Sequence, residues 1–150
     1  IAQIDAGADA VQIFDSWASG LPADIFARWV VAPTKRIVER LRAAKPDAKI
    51  IGFPRATTLQ GYESYARETG VDAISVDTSA PQGWMAKLGV PVQGNLDPLL
   101  LVTGGSAMER AVDGLVDAMR GAPFIFNLCH GVLQETPPEH VAALVARLRK

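Results

Sequence analysis

Hydrophobic and polar positions along this chain follow two periods in alternation. Short apolar runs that stop at polar residues lie at 9–14 (DAVQIF), 49–53 (KIIGF), 73–76, 90–93 and 123–128, and each reads as a buried strand. Between them, apolar positions recur roughly every third or fourth residue, the spacing of one helix face. Residues 22–31 read as helical, and Pro33 at a first-turn position starts a second helix with Ile37, Val38 and Leu41 on one side. Residues 57–69 form a helix closed by Gly70, 83–88 a short helix, and 98–102 a helical turn with Asp97 as N-cap and Pro98 at its first position. Ser106 and Glu109 are spaced as a capping box opening a helix that buries Met108, Ala111, Val112, Leu115, Val116 and Met119 and stops at Gly121. Thr136 and Glu139 have the same spacing, with Pro137 between them, ahead of a last helix that buries Val141, Leu144, Val145 and Leu148.

Strand and helix alternate about five times, the pattern of a parallel sheet flanked by helices, an α/β fold. The glycine, acidic residue and strand of 70–74 (GVDAI) repeat those of 7–11 (GADAV), so one unit recurs. No linker or low-complexity tract divides residues 1–150, which read as one domain. A doubly wound sheet closes at this length, whereas a (β/α)8 barrel takes about 250 residues, so five units would be an incomplete barrel. Local pattern leaves both open.

Composition narrows the function classes. Fifteen basic and sixteen acidic residues give a formal charge of -1, which argues against nucleic acid or a membrane surface as partner. No apolar run approaches the roughly 18 residues of a membrane span, and no signal-peptide pattern opens the chain. Cys129 is the single cysteine, so no internal disulfide forms. A cytoplasmic location is the expectation. Residues 1–7 resemble the last turn of a helix, and the chain is expected to be a piece of a longer protein.

Parallel strands put the residues after each strand on one rim: Asp15 and Ser16, Arg55, Asp77 and Thr78, Gln93, Asn95 and Asp97, and finally Asn127 and His130. His130 can act as a general acid, donate to an anionic ligand, or tie down its own loop. Arg55 can hold a carboxylate through two parallel bonds or pair with a rim carboxylate such as Asp77. Ser16 has no histidine near it in sequence, which favours a polar contact over covalent catalysis. Gln93 and Asn95 serve either loop bracing or ligand contact. Cys129 and His130 are neighbours whose side chains point to opposite faces of an extended backbone, a poor chelate, and His140 stands apart in the last helix, so no metal site is expected. No glycine-rich phosphate loop is present in the sequence.

Three motifs, DAVQIFDSWASGL at 9–21, VQGNLDP at 92–98 and IFNLCHGVLQETPPEHV at 125–141, resemble the carboxyl-terminal part of the uroporphyrinogen decarboxylase family. The resemblance implies a (β/α)8 TIM barrel, of which this chain is the later βα units. It also implies a homodimer that removes the four acetate carboxylates of uroporphyrinogen to give coproporphyrinogen in haem biosynthesis, without a cofactor. By the same resemblance Ser16 contacts substrate, Phe14 lines the cleft, and His130 is the cleft histidine. Arg55 and Asn127 are added as substrate-binding candidates from their places on the rim. The family's central aspartate, amino-terminal arginines and cleft tyrosine have no counterpart in these residues. The family usually carries glycine at Cys129 and commonly tryptophan at Thr78.

Two other readings stand beside it. A zinc-dependent corrinoid or thiol methyltransferase of the same superfamily would show a His-x-Cys pair at a middle strand's end, where this chain has Gly52-Phe53-Pro54-Arg55. A non-catalytic remnant or interaction module would keep the packing without the chemistry.

Overall fold

The computed structural model describes residues 1–149 and divides the chain into two compact units, Ile1–Val76 and Asp77–Lys150. In the first, a short α1 (Ala2–Asp5) leads to β1 (Ala10–Asp15), a long helical segment, β2 (Lys49–Pro54), α4 (Leu59–Thr69) and β3 (Ala73–Ser75). The three strands are parallel in the order of the chain, with Ala10 opposite Lys49, Asp15 opposite Pro54, and Ile51 opposite Ala73. The second unit holds α5 (Gln82–Met85), β4 (Val92–Leu96), α6 (Pro98–Thr103), α7 (Gly105–Ala118), β5 (Phe124–Leu128) and α8 (Pro138–Leu148). Its strands are also parallel, Val92 opposite Phe124 and Leu96 opposite Leu128.

The long helical segment departs from the sequence reading. A break is expected between Val31 and Pro33, but residues 23–44 stay helical: α2 (Ala23–Phe26), a π-helical turn (Ala27–Val31) and α3 (Ala32–Ala44). Proline has no N–H and its ring crowds the carbonyl of the preceding turn, and widening that turn takes up the conflict without ending the helix. Phe26, Val30 and Val31 remain buried through the wide turn.

Buried side chains explain why the elements hold. In the first unit Tyr62 and Tyr65 of α4 lie fully buried with Ile50 of β2, Ile74 of β3 and Val38 of α3. Gly52 makes this possible, because a Cβ there would stand 2.3 Å from the Tyr65 ring. The repeated acidic residue works in one copy: the Asp72 carboxylate accepts from the Ile50 N–H at 2.8 Å and from Arg42 at 2.9 Å, while Asp9 is exposed. In the second unit Met108, Val112, Leu115 and Met119 of the α7 segment are buried as the sequence predicts, but Val116, Val145 and Leu148 are about two-fifths exposed.

Helix ends match the sequence where the capping side chain is free to bond. Asp97 caps α6 as expected, accepting from the Leu99 N–H at 2.9 Å with Pro98 at the first position, whereas α4 begins at Leu59, two residues later than expected, with Thr58 as its cap through the Gly61 N–H at 3.0 Å. Gly70 closes α4 at φ +77. Both expected capping boxes are absent. α7 begins two residues early, with Gly104 as N-cap at φ +63 and no side-chain cap, and the His140 ring occupies the space of a Gly104 Cβ. α8 starts after Pro137, with Pro138 in its first turn, and the buried Thr136 hydroxyl has no hydrogen-bond partner.

Candidate active site

Each unit brings its predicted residues to the carboxyl ends of its strands, the edge where parallel α/β folds place their chemistry. In the first unit Phe14 is next to last in β1 and is 66% exposed, its ring meeting Phe53 edge to face at 6.1 Å between centroids. Asp15 ends the strand and turns the chain, its carboxylate accepting from the Trp17 N–H at 3.2 Å. Ser16 is exposed in that turn. Arg55 follows β2, and its N–H donates to the Asp15 carbonyl at 3.0 Å, which ties the two strand ends together. The Arg55 side chain is exposed and pairs with no carboxylate of this unit. Trp17, which the sequence reading passed over, is 87% exposed beside them. The signal was present, since a tryptophan directly after a strand-ending Asp-Ser has no core position to fill. An open aromatic face, a hydroxyl and an unpaired guanidinium thus share one end of this unit, a set suited to a ring that carries carboxylates.

In the second unit Asn127 stands opposite Asn95 in the β4–β5 register, and His130 follows two residues after β5. Both Asn127 and His130 are exposed, and the Asn127 side-chain oxygen accepts from the Leu128 N–H at 2.8 Å. The Cys129 N–H donates to the Leu96 carbonyl at 2.9 Å, extending the pairing one residue past the strand so that His130 leaves from a fixed point.

Around Cys129 lie Asp77, Thr78 and Asp97. Burial pushes its thiol above the ordinary value and both carboxylates add to the shift, while hydrogen bonding from Thr78 opposes it. A raised thiol is a poor nucleophile at neutral pH, so the cysteine adds bulk more than reactivity to this edge.

The two polar strand residues left open by the sequence are both buried. Gln93 is 5% exposed and Asn95 is 8% exposed. The Asn95 amide donates to the carbonyls of Asp77 at 2.8 Å and Ala80 at 2.9 Å, so it braces the preceding loop. Gly94 between them has φ +139, a conformation that a side chain would oppose. Asp77 is likewise turned inward, its carboxylate accepting from the Ser79 N–H at 2.8 Å. Beside this loop a cleft of about 380 Å³ is bounded by Thr78, Pro81, Asn95, Asp97 and Leu100. Among the described residues no three His, Cys, Asp or Glu side chains are grouped to hold a metal ion, and no helix is long and apolar enough to cross a membrane.

The family model for uroporphyrinogen decarboxylase (URO-D) matches residues 1–150. The chain is similar to uroporphyrinogen decarboxylases of Rhodospirillum rubrum (52% identity over 99% of this chain and 43% of the relative), Gluconacetobacter diazotrophicus (51%, over 100% and 43%) and Sinorhizobium fredii (52%, over 99% and 44%). It therefore spans less than half the length of the relatives it matches. With the whole chain matched and parallel βα units in chain order, the protein belongs to the uroporphyrinogen decarboxylase family of (β/α)8 barrels, of which these units are a part.

Proposed function

We propose that the protein to which this chain belongs is a uroporphyrinogen decarboxylase that converts uroporphyrinogen to coproporphyrinogen by removing its four acetate carboxylates. The observation that carries the reading is the family match across all 150 residues at about half identity to enzymes of that name. The chemistry suits the groups at the strand ends. Protonating a pyrrole carbon makes the ring an electron sink; the C–C bond pair then moves into it as carbon dioxide leaves, a second proton converts the exocyclic methylene to methyl, and loss of the first proton from the ring carbon restores the aromatic pyrrole, so each arm takes up one proton in all. The substrate supplies its own sink, so no cofactor is required. What the protein adds is a hold on the macrocycle, proton delivery and stabilisation of the cationic ring.

Phe14 offers an aromatic face to the macrocycle, Ser16 and Asn127 offer polar contacts, and Arg55 offers a guanidinium for a substrate carboxylate. His130 is assigned to proton delivery or carboxylate binding. The enzyme is taken to work as a homodimer in the cytoplasm.

The test is an anaerobic assay on the complete chain, wild type against His130→Asn, following loss of carboxylates from uroporphyrinogen. Coproporphyrinogen from wild type is expected. A proton-delivery role lowers kcat on the order of 10²-fold in His130→Asn and changes the pH–rate profile; carboxylate binding raises KM with kcat kept. A complete, folded wild-type chain that forms no product refutes the assignment.

A further inference from the structure

The loop of residues 77–80 is closed on itself by the Ser79 N–H to the Asp77 carboxylate at 2.8 Å and the Ala80 N–H to the Asp77 carbonyl at 3.2 Å, and one side chain of β4 ties it to the strand. Asn95, 8% exposed on β4, donates both amide hydrogens, one to the Asp77 carbonyl at 2.8 Å and one to the Ala80 carbonyl at 2.9 Å. Only a neutral primary amide at this length offers two donors to two carbonyls; a carboxylate would set like partial charges against each other, and a hydroxyl has one hydrogen. The next residue on β4, Leu96, accepts the Cys129 N–H at 2.9 Å. Consecutive residues of one strand thus hold the loop that follows β3 and the turn that carries His130. We infer that Asn95 is a positioning residue, which sets the 77–80 loop as the wall against which the Cys129–His130 turn is seated.

The two held segments also lie together: Asp77 and Thr78 of the loop are beside Cys129, with Asp97 near it. Releasing Asp77 and Ala80 therefore frees Thr78, uncovers the thiol and loosens the turn before His130. The catalytic part of this inference rests on the decarboxylase reading. The structural part does not, and Cys129 serves as its reporter.

The experiment uses the complete chain with Asn95→Ala, Asn95→Ser and, as control, Ser106→Ala on the exposed start of α7. Alkylation of Cys129 by iodoacetamide is followed by mass spectrometry of its peptide, alongside melting temperature and steady-state kinetics. Loss of both hydrogen bonds is expected to raise the alkylation rate of Asn95→Ala about tenfold below its melting transition. Asn95→Ser, which keeps one donor, falls between it and wild type, and Ser106→Ala matches wild type. kcat falls about tenfold in Asn95→Ala with KM within about twofold, the mark of lost orientation. If Asn95→Ala does not fold, Asn95→Ser decides on the same readouts. An unchanged alkylation rate overturns the inference, and so does a raised rate with unchanged kcat, which would leave Asn95 a structural brace only. If complete wild type makes no coproporphyrinogen, the decarboxylase reading fails and the alkylation rate alone judges the placement of the loop.

Discussion

Burial pushes the Tyr65 phenol up to about 12, with Thr34 opposing the rise and Asp15 adding to it. Its buried hydroxyl makes no hydrogen bond of full geometry. The unfolded phenol ionises near 10, so between about pH 10 and 12 the unfolded state holds fewer protons and stability falls as pH rises. The rise from 10.0 to about 12 corresponds to a stability difference on the order of 3 kcal/mol, present in full below pH 10 and lost by about pH 12. Tyr65→Phe is expected to keep or slightly raise stability at pH 7, because it removes an unsatisfied polar atom, and to abolish that alkaline loss. Urea unfolding at pH 7 and pH 11 checks both. At this scale the sequence was legible where chemistry is local. Asp97 could be read as a cap because cap and helix start are adjacent, and His130 as a strand-end residue because strand and turn are adjacent. The duty of Asn95 was not legible, since its two acceptors lie 18 and 15 residues away and nothing in VQGNLDP names them.

Elements were read best where one stripe or one cap decided them. Thr58 and Ser106 carry this to a direct comparison: Thr58→Ala is expected to cost about 1 kcal/mol, and Ser106→Ala to stay within about 0.5 kcal/mol, by denaturant unfolding. Equal losses would mean that Ser106 caps after all. Gly52→Ala is expected to destabilise by about 1–3 kcal/mol, because its Cβ meets the ring of a fully buried tyrosine inside a packed layer. Gly52→Ala combined with Tyr65→Phe would recover little, since the ring carbon rather than the hydroxyl makes the 2.3 Å approach. The failed readings share a cause. Pro33 and Thr136 each carry a strong local signal, and each was overruled by what surrounds it, a helix turn able to widen and a chain start displaced by one residue. Ser106 was overruled by a helix that starts two residues earlier, with Gly104 as its N-cap packed against the His140 ring.

For the whole molecule, the alternation of periods was enough for the α/β class, while the choice of barrel came from the motif resemblance and then from the family match. Phe14, Trp17 and Ile125 leave large apolar surfaces open at 66%, 87% and 43% exposure, and the formal charge of -1 gives little repulsion between copies. The 150-residue chain by itself is therefore expected to self-associate with rising concentration; sedimentation as a 16.0 kDa species at every concentration would contradict this. One further consequence comes from the pairing of strands that are neighbours in the chain, β1 with β2, β2 with β3 and β4 with β5. On the ribosome the amino-terminal strand of each pair is always made first, so a newly emerged strand finds its template already outside the exit tunnel. Each pairing therefore waits only for the intervening helical segment, a matter of seconds at about 5–20 residues per second, and assembly can follow synthesis in the order of translation.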